Sequence, residues 1–131
     1  MTIPQSVVAD MLAHAREEAP RECCGLLVGT GDAVERSVRA RNLDERPGRY
    51  LIDPQSHFAA IHAARSEGRN VIGAYHSHPA SAPVPSATDI AEANGSSDFV
   101  YVIVSLASDE TRAYRYDGGT FTLCPLTLTP C

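Results

Sequence analysis

The chain has 131 residues, of which 44% are hydrophobic and 21% charged, with a net charge of -5 and a pI of about 5.4. That size suits one domain with one core. The acidic balance argues against a nucleic-acid binder, whose contact face is usually basic. No apolar run approaches the roughly 20 residues a membrane span requires. The first twenty residues lack the basic start and apolar stretch of a signal peptide.

In chain order, Ile3, Val7, Val8, Met11, Leu12 and Ala15 recur at helical spacing and predict a first helix. Thr2 and Gln5 have the spacing of a capping box, Pro4 suits the first turn, and Pro20 lies past the end. "CGLLVG" is a short continuous apolar run and predicts a strand covered on both faces. "AVERSVRA" alternates and predicts a second strand, paired with the first through a turn at Gly31-Asp32. Residues 41 to 49, "RNLDERPGR", read as a loop, and "YLI" as a short strand after it. Asp53 and Pro54 open a second helix that Gly68 ends. "NVIGAYHSH" predicts a further strand, residues 79 to 85 a proline-rich loop, and Ser86 the start of a helix stopping at Asn94-Gly95. "FVYVIVS" is strongly strand-like, and "TRAYRY" and "TFTLC" flank Asp117-Gly118-Gly119 as a hairpin. Interleaved strands and helices predict one α/β domain over residues 1–131, with helices on the faces of a mixed sheet.

The four cysteines, Cys23, Cys24, Cys124 and Cys131, form neither a Cys-x-x-Cys pair nor zinc-finger spacing. They read as reduced thiols of a cytoplasmic protein. His14, His57 and His62 fall on predicted helices and are not expected to ligate.

His76 and His78 differ. In a strand, residues i and i+2 share a face, with Cα atoms roughly 6.5 Å apart. Two such imidazoles can converge on one ion, and Asp89 is the nearest downstream carboxylate to complete a set of three protein ligands. Three ligands and an open position are the pattern of a catalytic zinc site. Each piece also has an ordinary reading: strand-end histidines, Ser86 as an N-cap, and Asp89 as a complement to the helix dipole.

The ordered combination His76-x-His78-Pro79, Pro85-Ser86 and Asp89, with Glu22 ahead of the apolar strand in "PRECCGLLVG", resembles the signature of the JAMM (MPN-domain) metalloproteases. The resemblance covers nearly the whole chain. It implies an α/β/α sandwich related to cytidine deaminases, one zinc ion on His76, His78 and Asp89, Glu22 as general base, and Ser86 as a hydrogen-bond donor to the oxyanion. Glu17 and Glu18, at the end of the first helix, are expected to face solvent. The chain is similar to compact prokaryotic members that act on ubiquitin-like sulfur carriers, small β-grasp proteins with a Gly-Gly tail. Some of these trim residues after Gly-Gly, and one group frees cysteine. "RYLIDP" followed by a helix and "YHSH" looks close to the latter. Such a tail can add as a strand at a sheet edge, and residues 41 to 49 with the strand after them are expected to form one wall of its channel. No nucleic-acid or membrane partner is expected, and an edge strand could pair two copies.

Three other readings compete. An inactive MPN-type scaffold would keep the fold but would not depend on Glu22. A deaminase would need His-x-Glu and Pro-Cys-x-x-Cys, which do not occur. A DNA-repair-linked bacterial family shares the His-x-His-Pro stretch, but the acidic charge and "RECCGLLVG" favour the protease branch.

Overall fold

The computed structural model describes residues 1–93 and 99–131. The elements in order are β1 (Thr2–Pro4), α1 (Gln5–Glu18), β2 (Cys24–Thr30), β3 (Ala33–Ala40), α2 (Pro54–Ser66), β4 (Asn70–His78), α3 (Ala87–Glu92), β5 (Val100–Ser105), β6 (Thr111–Asp117), β7 (Thr120–Cys124) and β8 (Thr127–Thr129). They build one sheet of eight strands in the order β7-β6-β5-β4-β2-β3-β1-β8. β4 and β5 are parallel, as is β1 with β3 and with β8, and the other pairs are antiparallel. The sheet is therefore mixed.

Helices cover both faces. On one face Val7, Met11 and Ala15 of α1 pack with Ile3, Cys23, Leu27, Tyr75, Val100, Val102 and Val104. On the other, Ala60 of α2 packs with Leu26 and Ala74. Alternation along β2 and β4 divides the residues: Leu27 and Tyr75 face α1, while Leu26 and Ala74 face α2. The central strands are apolar on both faces, and every residue of β5 is buried. Each fully buried leucine or valine contributes about 1.5–3 kcal/mol of transfer free energy. No helix among the described residues is long and apolar enough to cross a membrane.

Tyr75 crosses the α1 layer. Its ring lies over Gly25, where an added Cβ would collide with the ring and with the Val38 carbonyl. Its hydroxyl meets Nδ1 of buried His14 at 2.7 Å. His14 is thus a satisfied core histidine. Burial, followed by Arg39, lowers its pKa.

Three expectations at the N-terminus and around Tyr50 change. Thr2–Pro4 form a strand, with the Thr2 amide donating to Asp32, so the Thr2–Gln5 capping box does not form; Pro4 takes the N-cap position without a side-chain bond. A three-residue strand pairing on both sides satisfies more backbone than one hydroxyl cap. "YLI" reduces to an isolated bridge between Asn42 and Ile52. β8 carries no alternation long enough to read in sequence, and it exists because it pairs with β1. Asp53 caps α2 by accepting from the Gln55 amide, as expected. The expected helix stop at Asn94-Gly95 lies outside the described residues.

Candidate active site

β4 ends in the middle of the sheet, between β2 and β5, and its last turn of pleat carries His76 and His78 toward the α2 face. The chain then leaves as the proline loop. That loop is anchored from behind: the Ser105 hydroxyl donates to the Ser81 carbonyl at 2.6 Å, and the Tyr114 hydroxyl donates to the Pro83 carbonyl at 2.7 Å. So held, the loop returns to start α3 beside the histidines.

The start of α3 is a capping box. The Asp89 amide donates to Ser86 Oγ at 3.0 Å, and the Ser86 amide donates to Asp89 Oδ2 at 2.9 Å. The same two bonds fix the Asp89 rotamer and direct Oδ2 at both imidazoles. The cap that accounts for these two residues thus also leaves Oδ2 beside both imidazoles. Ser86 Oγ spends a lone pair on the cap and keeps its O–H to donate.

His76 Nε2, His78 Nε2 and Asp89 Oδ2 form a nearly equilateral triangle with edges of 3.2, 3.1 and 3.2 Å. All three residues are buried. Ligands about 2.0–2.1 Å from a tetrahedral zinc lie about 3.3–3.4 Å apart, so the triangle is close to one face of that tetrahedron. The tautomer of His78 agrees. Its Nδ1 lies 2.8 Å from the Ala82 carbonyl, which can only accept, so Nδ1 donates and Nε2 is the nitrogen presented to the triangle, where a bound cation would take its lone pair. The donor set fits a divalent cation: two imidazoles and a carboxylate, with an outer hydrogen bond orienting one ring.

Asp89 and the two rings attract one another electrostatically. Burial would raise the Asp89 pKa, but hydrogen bonds from His76 and His78 outweigh it and hold the group below the ordinary carboxylate range. Burial lowers His76. Burial also works to lower His78, yet Asp89 and the Ala82 carbonyl overcome it and raise the group.

Glu22 arrives through the sheet register. Cys24 pairs with His76 in the antiparallel β2–β4 ladder, so two residues further along each strand Glu22 stands opposite His78. The Ser77 amide donates to the Cys23 carbonyl at 3.1 Å and the Cys23 amide to Ser77 Oγ at 2.8 Å, continuing the pairing beyond β2. Glu22 is 4% exposed, and its Oε1 has no hydrogen-bond partner among the described residues. Burial, opposed by His78 and assisted by Asp89, pushes its pKa up to about 7. Glu17 and Glu18 are exposed, as expected.

The five residues singled out in sequence thus gather around β4 and the start of α3. Two further ones were not singled out. Tyr50 stacks on the His76 ring, centroids 4.3 Å apart at 19°. With Leu51, Ile52, Asp89, Glu92, Ala93 and Tyr101 it lines a cleft of about 180 Å³. Asn42 donates to the Glu22 carbonyl at 3.0 Å. The "RYLIDP" stretch that contains Tyr50 hinted at a role, and for Asn42 only the polar loop composition did. His57 and His62 stay on α2, outside the one candidate ligand group among the described residues.

Residues 4–117 match the family described as prokaryotic homologues of the JAB domain. A desampylase of Haloferax volcanii is 40% identical over 118 residues, covering 85% of this chain and 84% of that protein. A CysO-cysteine peptidase of Mycobacterium bovis is 33% identical over 131 residues, covering 96% and 89%. Among solved structures, protein DSY2949 of Desulfitobacterium hafniense superposes with a TM-score of 0.91 at 33% identity, covering 98% of this chain and 92% of that one. With that sheet, that ligand triangle and these matches, the chain belongs to the prokaryotic JAB-domain family.

Proposed function

We propose that residues 1–131 act as one zinc-dependent peptidase of the JAMM type in the cytoplasm. The substrate is a small ubiquitin-like, β-grasp sulfur carrier, and the bond cleaved is the amide after its C-terminal Gly-Gly, with release of cysteine or of a short extension. The observation that carries this is the His76–His78–Asp89 triangle beside buried Glu22, whose Oε1 has no partner among the described residues. The names of the two relatives, a desampylase and a CysO-cysteine peptidase, support the substrate class. Four free thiols suit a reducing compartment.

His76, His78 and Asp89 would hold zinc, whose Lewis acidity would make water nucleophilic near neutral pH and polarise a carbonyl. The remaining work falls to side chains. Glu22 accepts the proton of the attacking water at its free Oε1 and returns it to the nitrogen of the leaving amine. Ser86 donates its O–H toward the oxygen on which charge develops, an effect worth about 3–4 kcal/mol for a comparable donor. Ala82 and Tyr50 keep the two rings in place. The segment that follows the 41–49 loop, Tyr50 to Ile52, borders this cleft, and a tail without side chains passes there as an added strand.

The test is incubation of zinc-loaded protein with β-grasp carriers extended beyond Gly-Gly, read by mass spectrometry. A product ending at Gly-Gly, lost on Glu22→Gln, supports the reading. Carriers left intact by a protein that also retains no zinc would overturn it.

A further inference from the structure

Antiparallel register places one residue opposite Glu22 on its other side. The last pair of the β2–β3 ladder is Cys24 with Ala40, so two residues further Glu22 stands opposite Asn42. The ladder does not continue there. Past Ala40 the chain turns away, and its backbone pairs with the segment before α2: the Leu43 amide donates to the Leu51 carbonyl at 2.8 Å and the Asp53 amide to the Arg41 carbonyl at 2.9 Å. Glu22 therefore has β4 on one side and no strand on the other.

The Asn42 side chain fills that place. Its Nδ2 donates to the Glu22 carbonyl at 3.0 Å and to the Arg49 carbonyl at 3.3 Å. Its Oδ1 accepts from the Asp44 amide and the Leu51 amide, both at 2.9 Å. Two donors and two acceptors use the full capacity of a primary amide. One side chain thus ties the Glu22 backbone to residues 49–51, the segment whose Tyr50 lies on the His76 ring. Arg21 reinforces the tie by donating to the Asn42 and Asp44 carbonyls at 3.3 and 3.1 Å.

We infer that Asn42 is a positioning residue for catalysis, standing in for a missing strand and setting Glu22 against the ligand triangle. The inference rests on the proposed role of Glu22 and goes beyond it. Among the described residues, Asn42 bonds to Glu22, Arg49, Asp44, Leu51 and Arg21 and to none of His76, His78 and Asp89, so its loss acts through Glu22 and the 49–51 segment.

The discriminating variant is Asn42→Asp, which keeps the shape and the acceptor but removes both donors. Zinc-loaded protein is assayed on a β-grasp carrier bearing a fluorogenic amide after Gly-Gly. The expected result is a kcat lower by roughly 10- to 100-fold, the loss a misplaced catalytic group produces, with KM and bound zinc little changed. Added to Glu22→Gln, Asn42→Asp costs nothing more, because two residues acting through one function are not additive. Asn42→Gln, with a donor restored, regains part of kcat. Backbone hydrogen exchange, independent of activity, shows the Glu22 and Cys23 amides opening roughly tenfold faster in Asn42→Asp. Should that variant not fold, Asn42→Ser, which retains one donor, carries the same measurements. An unchanged kcat, multiplicative losses in the double variant, or unaltered exchange at Glu22 would overturn the inference. If the wild type cleaves no carrier, the proposed function fails, and the exchange result alone still decides whether Asn42 holds Glu22.

Discussion

Replacing Glu22 with Gln should lower cleavage by roughly 10²- to 10⁴-fold and stabilise the metal-stripped protein. The residue is 4% exposed, lacks a partner at Oε1 among the described residues, and has its pKa raised from 4.5 to about 7 by burial first of all. In the folded state it holds its proton more tightly than in the unfolded chain. Between pH 4.5 and 7 the unfolded state therefore binds fewer protons, and stability falls as pH rises. The penalty is absent below pH 4.5 and complete above 7. At about 1.4 kcal/mol per pH unit the difference amounts to roughly 3 kcal/mol. Gln, an uncharged near-isostere, carries none of it. For a chain of this length that corresponds to a thermal midpoint higher by roughly 10 °C at pH 8. The assay is thermal unfolding of chelator-treated wild type and Glu22→Gln from pH 4.5 to 8. The gap between them should be near zero at the acid end and widen upward. Parallel curves, or a variant less stable at pH 8, would refute the idea that this group is held under electrostatic strain.

Zinc should be stoichiometric in wild type by elemental analysis and absent after Asp89→Ala, because the triangle loses its only anionic corner. Tyr75→Phe should cost about 1–3 kcal/mol by urea unfolding while leaving bound zinc unchanged. It orphans buried His14 on the face opposite the ligands, and a cost below 0.5 kcal/mol would contradict the 2.7 Å bond. Native protein treated with iodoacetamide at pH 8 should be modified at Cys124 and Cys131 and spared at Cys23 and Cys24. Burial pushes the latter two thiols up to about 11 and 12, and peptide mapping distinguishes the sites.

Much of the site was legible before the fold was known, for local reasons. His76 and His78 share a face because strand geometry alternates by two, and Ser86 and Asp89 meet because one helical turn separates them. Proline and glycine punctuation placed β3 and β4 at their observed bounds. The start of the chain misled because Thr2, Pro4 and Gln5 carry helix-start chemistry locally, whereas two neighbouring strands offer Thr2–Pro4 more backbone partners.

What the order of residues determined alone is the chemistry: which donors exist, that they come as His-x-His and Ser-x-x-Asp, and that a glutamate precedes an apolar strand. Tertiary structure decided the rest. Only the pairing of β2 with β4 puts Glu22 across from His78, and only the departure of the chain after β3 leaves Asn42 to complete the backbone around it. Hydrogen-bond register between strands distant in sequence, together with the burial that strips water from a carboxyl, depends on the assembled sheet and has no signature in any short stretch of chain.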